Sequence, residues 1–299
     1  MGAVWVLNLD ADLELGARGP YTPTRSVLRA MLHQQRVLRE ALLAAGEEVV
    51  DEHTSRGMAH GRPGFAFCPT PRALAVLERV GAIAMPHPSV EVLRKVNGRA
   101  FCASLGPTLP GGEFVHDLAR AQEKLSDGTS AWRVKRAFGM AGRGQRVIAP
   151  GALTKGDEDF VRSSIARGGV QIEPQVRILR EVAIHGWLTP SGACTLGRLV
   201  EQRCDARGAW TSTAPIDAPF AFAADLEAEA RGVGARLHEA GYFGPFGVDA
   251  FVYEGGFQAR SEINARFSMG FPLGLPDWRT HLDSHARTDS ARGGASPEP

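Results

Sequence analysis

The spacing of apolar positions changes several times along this chain, and each change marks an element. Val4–Leu9 (VWVLNL) is a compact apolar run of strand length. From 24 to 45, apolar residues recur at helical spacing: Val27, Leu28, Met31, Leu32, Val37, Leu38, Leu42 and Leu43, with Gly46 placed to stop the helix. A short strand is expected near Glu48–Asp51, another at 65–68 (FAFC), and a helix over 71–82 (PRALAVLERVGA). Strands alternating with helices predict an open α/β sheet for residues 1 to about 90. Ligands of such sheets sit beyond the carboxyl ends of the strands, which makes loops 10–24 and 52–64 the N-terminal candidates for holding a substrate.

Downstream, 89–105 reads as a helix broken near Asn97–Gly98 and ending at Gly106, followed by a loop and short helix over 108–126. Strand 132–138 (WRVKRAF) leads through Gly139, Gly142 and Gly144 to strand 145–148, then an amphipathic helix over 154–168. A strand, turn and strand occupy 170–188, and an Arg-rich strand pair, or strand and loop, occupies 198–210. The helix over 225–241 places Leu226, Ala230, Val233 and Leu237 on one side. Two strands follow, 247–253 (GVDAFVY) and 258–267 (QARSEINARF), joined through Gly255–Gly256. Past Pro276 the chain turns polar, and 288–299 is expected to be disordered.

Composition narrows the class. A chain of 299 residues has room for two or three lobes with a real core, and 43% hydrophobic with 22% charged residues is ordinary for a soluble protein. A net charge of +1 without a long basic run gives no reason to expect a nucleic-acid partner. No apolar run reaches the roughly 20 residues a membrane helix needs. The N-terminus has no basic region before its apolar run and meets Asp10 and Asp12 at once, so a secretory signal is not expected. Cys68, Cys102, Cys194 and Cys204 have no metal-site spacing and read as thiols in a reducing compartment. The expected location is the cytoplasm.

The chemistry concentrates in the last hairpin. A Gly-Gly pair between strand-like runs is a strong two-residue turn signal. If Glu254 pairs with Phe257, counting outward places Asp249 opposite Glu262 and Gly247 opposite Asn264. Alternation then puts Asp249, Glu262, Asn264 and Arg266 on one face. Like charges directly opposed are destabilising, and two carboxylates with an amide oxygen suit a hard divalent cation, Mg2+ before others. The plain alternative is a solvated hairpin with a charged outer face.

The second informative stretch is 131–148. Three glycines in six residues let backbone N–H groups turn inward around a phosphate, and Lys135 on the preceding strand places an ammonium near the same group. No G-K-[ST] follows, so this is not a P-loop. No helix opens at its end, so it is not a dinucleotide fingerprint. A flexible glycine-rich hairpin is the alternative.

Taken in order, these parts resemble the ATP-grasp superfamily over roughly residues 95–275, with Asp249, Glu262, Asn264 and Arg266 in the pattern D…E-x-N-x-R. The resemblance implies an N-terminal open α/β domain (1–92), a helical linker (93–128), a small central lid (129–185) and a C-terminal α+β domain (186–287), with ATP between the last two. It implies that Lys135 and the loop Gly139, Gly142 and Gly144 hold phosphates. Arg99 stands where the family usually has Lys, with Lys95 as the other candidate. The adenine hinge falls at Gln171–Val176, with Glu173, Gln175 and Val176 reading the ring and Glu181 the ribose. By the same resemblance, Asp249, Glu262 and Asn264 would hold Mg2+, or Mn2+ in its place, and Arg266 would steady the transferring phosphoryl. The implied activity is ATP-dependent ligation of a small carboxylate to an amine, or a thiol, through an acyl phosphate. A kinase and a non-catalytic ATP-binding module are the alternatives. Partners would be small molecules and, as in many relatives, a second copy of the chain.

Overall fold

A computed structural model describes residues 2–126, 129–140, 142–205 and 208–282. The stretch 288–299, expected to be disordered, lies outside them. In chain order the first elements are β1 (Val4–Val6), α1 (Ala11–Leu15), α2 (Arg25–Leu42), β2 (Glu48–Val49), β3 (Pro63–Ala66), α3 (Pro71–Val80) and β4 (Ile83–Ala84). The strands form a parallel sheet in the order β2-β1-β3-β4, as the alternating pattern predicts. Thr24 caps α2 by accepting from the Val27 amide. The buried stripe of α2 is Val27, Met31, Gln34, Leu38 and Leu42. Leu28 and Leu32, expected inside, are 41% and 65% exposed because each lies one residue past that stripe. Helix α1 and edge strand β4 carry too few residues to leave a periodic signal.

The break expected near Asn97–Gly98 is real. α4 (Val90–Asn97) and α5 (Arg99–Ser104) meet at Gly98. The Asn97 side chain accepts from the Ala265 amide at 2.9 Å and donates to the Ala265 carbonyl at 3.3 Å. That clamp ties the helix junction to the far end of the chain and sets where Arg99 begins.

The next elements are β5 (Glu113–Val115), α6 (Leu118–Leu125), β6 (Trp132–Met140), β7 (Arg143–Ile148), α7 (Lys155–Ile165) and β8 (Val170–Pro174). Their strands form an antiparallel sheet, β5-β8-β6-β7. Val134, Ile172, Val161 and Leu125 bury its inner face under α6 and α7. A capping box between Thr154 and Asp157 starts α7. The rest comprises β9 (Ile178–Leu188), β10 (Cys194–Cys204), β11 (Trp210–Pro215), α8 (Ala223–Glu239), β12 (Gly244–Tyr253), β13 (Gly256–Asn264) and α9 (Phe271–Gly274). These strands build a second antiparallel sheet, β11-β10-β9-β12-β13. Sheet membership differs from the sequence reading in two places: β5, read as loop, joins the central sheet, and β9 is the middle strand of the C-terminal one.

The hairpin reaches its expected pairing by an unexpected route. Asp249 faces Glu262 and Gly247 faces Asn264. The turn, however, is centred on Glu254–Gly255, with Tyr253 paired to Gly256 and Val252 to Phe257. Near the turn the register is therefore two residues off the count from Gly255–Gly256. A bulge then corrects it: between Phe251↔Gln258 and Asp249↔Glu262, β12 advances two residues and β13 four.

Candidate active site

The two antiparallel sheets enclose a cleft lined by Arg99, Lys135, Gly139, Gly142, Glu173, Val176, Glu181, Asp249, Glu262, Asn264 and Arg266. These eleven sequence-selected residues share one space. Two others do not line it. Gln175 turns to Arg133, accepting from its Nε at 3.0 Å, and Gly144 lies within β7. Gly142 (φ 74°) and Gly144 (φ 82°) both take left-handed conformations that other residues rarely adopt, which lets β6 return as β7.

At the C-terminal end, Asp249 is held from two sides. Asn264 Nδ2 donates to its Oδ2 at 2.9 Å, and Gln202 Nε2, from β10, donates to its Oδ1 at 2.7 Å. Removal from water, then the charge of Glu262 across the hairpin, push the Asp249 carboxyl up to about 7; the Gln202 and Asn264 hydrogen bonds and Arg266 pull the other way. Among the described residues no three His, Cys, Asp or Glu side chains group to hold a metal; the set here is two carboxylates and one amide.

At the lid end, Arg133 is the register partner of Glu173, and Lys135 is its diagonal neighbour on the same face. Lys135 Nζ lies 2.6 Å from Glu173 Oε2. Glu173 is buried, and its other oxygen accepts from Thr108 Oγ1 and, at 2.6 Å, from Gln171 Nε2. Arg99 reaches in from α5, its Nη2 donating to Glu262 Oε1 and its Nη1 to the Arg136 carbonyl, both at 2.9 Å. Lys95, the other basic candidate on this helix pair, is not part of the cleft lining. Arg266 pairs with Asp12 through Nη2–Oδ2 at 2.5 Å and Nε–Oδ1 at 3.3 Å, its guanidinium 5.2 Å from the Phe67 ring centre. Cys204 also lines the cleft, but burial and the hydrogen bond and charge of Glu181 push its thiol well up, leaving it protonated and a poor nucleophile.

Thr108, Gln202 and Asp12 are the site residues that sequence reasoning missed. Thr108 sits in a stretch read as loop, and Gln202 reaches Asp249 only because β10 and β12 flank β9. Asp12 carried one weak signal, its place in the loop after the first strand. No protein-family model matches the sequence, and no curated protein is similar to it in sequence. Solved structures do match in shape. Biotin carboxylase from Campylobacter jejuni, solved as a β,γ-ATP complex, aligns with a TM-score of 0.60 at 13% identity, over 99% of this chain and 72% of that one. D-alanyl-alanine synthetase A from Vibrio cholerae aligns at 0.55 and 10% identity, over 94% and 93%. N5-carboxyaminoimidazole synthetase from Staphylococcus aureus, solved with ADP, aligns at 0.50 and 15% identity, over 89% and 70%. The chain has the ATP-grasp fold, with a parallel α/β sheet followed by two antiparallel sheets around a shared cleft.

Proposed function

We propose that this protein is an ATP-dependent ligase that activates a small carboxylate as an acyl phosphate and transfers the acyl group to an amine. The observation that carries the reading is the opposition of Asp249 and Glu262 in the same cleft as Lys135 and Gly139. Burial and the charge of Glu262 make the ionised Asp249 carboxylate costly there, and a divalent cation would relieve that cost.

The donor set fits Mg2+. It offers two carboxylates and the Asn264 amide, all oxygen donors, and the remaining positions suit phosphate oxygens and water. Asp249, Glu262 and Asn264 would hold the ion, which when bound supplies charge neutralisation on the nucleotide phosphates. Lys135 and the amides around Gly139 and Gly142 stabilise negative charge on the transferring group. Val176 and the hinge backbone accept the adenine edge, and Glu181 binds a ribose hydroxyl. Arg266, held by Asp12, presents a fixed cation beside the acyl phosphate. A carboxylate oxygen bonds the γ-phosphorus as the bond to the bridging oxygen breaks and ADP leaves. The amine nitrogen then bonds the carbonyl carbon, the C–O bond to phosphate breaks, and inorganic phosphate leaves while the amine's proton passes to it or to water. No side-chain nucleophile is required, in keeping with a protonated Cys204.

The test is a phosphate-release screen of amino acids and small carboxylic acids in pairs, with ATP and Mg2+. Release that needs both members of a pair supports the ligase. A stable phosphorylated product from one member alone identifies a kinase. Absence of Mg-dependent nucleotide binding contradicts the site assignment itself.

A further inference from the structure

Arg99 departs from the usual family residue, and its surroundings give it a different task. Its side chain is 12% exposed, and its two terminal nitrogens are committed to different elements: the Arg136 carbonyl on β6 and the Glu262 carboxylate on β13, each at 2.9 Å. The fork also lies directly under the lid loop. A Cβ added at Gly139 would fall 3.3 Å from Arg99 Nη1 and 2.6 Å from the Arg143 carbonyl oxygen, so that glycine leaves the space the guanidinium fills. The base of the side chain is fixed as well, because Gly98 breaks the helix one residue earlier and Asn97 is clamped to Ala265.

A planar fork serves two acceptors on opposite sides at once, whereas a lysine brings a single nitrogen that cannot span both. We infer that Arg99 is a positioning residue: it locks the Glu262 carboxylate to the lid strand, so that the orientation of a cation ligand depends on the lid being in place. Both terminal nitrogens donate to protein oxygens, and the effect of Arg99 on the nucleotide passes through Glu262. The inference rests on the proposed cation site, and it adds a link between lid and cation affinity that a phosphate-binding lysine at this position would not create.

The experiment is a Mn2+ titration followed by electron paramagnetic resonance, with saturating ADP, on wild type, Arg99→Lys and Gly139→Ala. ADP affinity without metal is measured alongside by calorimetry, and melting curves confirm folding. Removing a partner that orients a ligand typically weakens metal affinity about 10- to 100-fold. Arg99→Lys is expected to weaken Mn2+ binding by at least about tenfold while metal-free ADP affinity stays near wild type. Gly139→Ala, whose added Cβ crowds the Arg99 fork and the Arg143 carbonyl while the cation ligands are unchanged, is expected to shift Mn2+ affinity in the same direction. Wild-type Mn2+ affinity in Arg99→Lys, or a loss confined to metal-free ADP binding, overturns the inference and returns Arg99 to the phosphates. Failure of the wild type to bind Mn2+ with ADP overturns the cation site and this inference together.

Discussion

The two ends of the cleft handle charge in opposite ways. At the lid end, Lys135 and Glu173 cancel each other inside a network that Thr108 and Gln171 complete. At the C-terminal end, Asp249 and Glu262 carry the same sign across one hairpin rung, and among the described residues only Arg99, on the Glu262 side, makes a direct ion pair with either. A buried pair with its hydrogen bonds made balances its own charge, whereas Asp249, opposed to the like charge of Glu262, is held by two neutral amides. The Asp249–Glu262 end is where the proposed cation would sit, and at the other end the Lys135–Glu173 pair ties β6 to β8.

That contrast breaks if the lid pair is dispensable to the fold. Lys135→Ala strands a buried carboxylate, and the expected cost is about 3–5 kcal/mol in urea unfolding, well above the effect of an exposed lysine. A cost near zero would mean that the pair does not hold the lid's fold. Lys135→Ala should also weaken ATP binding by calorimetry, and an unchanged affinity would place the phosphates elsewhere.

A smaller effect concerns His185 on β9, whose two ring nitrogens are buried with no hydrogen-bond partner among the described residues and whose ring meets Phe271 edge-on. Burial lowers its pKa to about 3. The folded protein then resists a proton that the unfolded chain accepts near the usual 6.5. Below that value the unfolded state binds more protons, and stability falls with pH until about 3. The expected loss between pH 8 and pH 5 is about 2 kcal/mol, and His185→Leu should flatten that slope in unfolding curves measured across the range. An unchanged slope would mean that the ring is solvated. Smallest of the three, Thr108→Val should cost about 1 kcal/mol, because Glu173 and Gln171 still hold each other.

Much of this was legible in the sequence where pattern and chemistry coincide. The alternating N-terminal elements and the helix break at Asn97–Gly98 follow from periodicity and glycine placement. The hairpin also shows the limit of counting. The two-residue slip at Glu254–Gly255 and the compensating bulge leave no trace in the order of residues, so the pairing of the acids was right although the turn was not. Leu28 and Leu32 show a second limit, since apolar character alone does not say which side of a helix faces the core. Long-range partners were beyond reach: Gln202 and Asp12 meet Asp249 and Arg266 only through the order of strands and the docking of one sheet on another.

The central claim is that a divalent cation, shared by two opposed carboxylates, joins nucleotide to protein. The most direct measurement is calorimetric titration of ADP into wild type and Glu262→Gln, each with and without Mg2+, with circular dichroism to confirm an intact fold. The account predicts that Mg2+ tightens ADP binding to the wild type by at least about tenfold and leaves Glu262→Gln unchanged. Equal tightening in both proteins would contradict it.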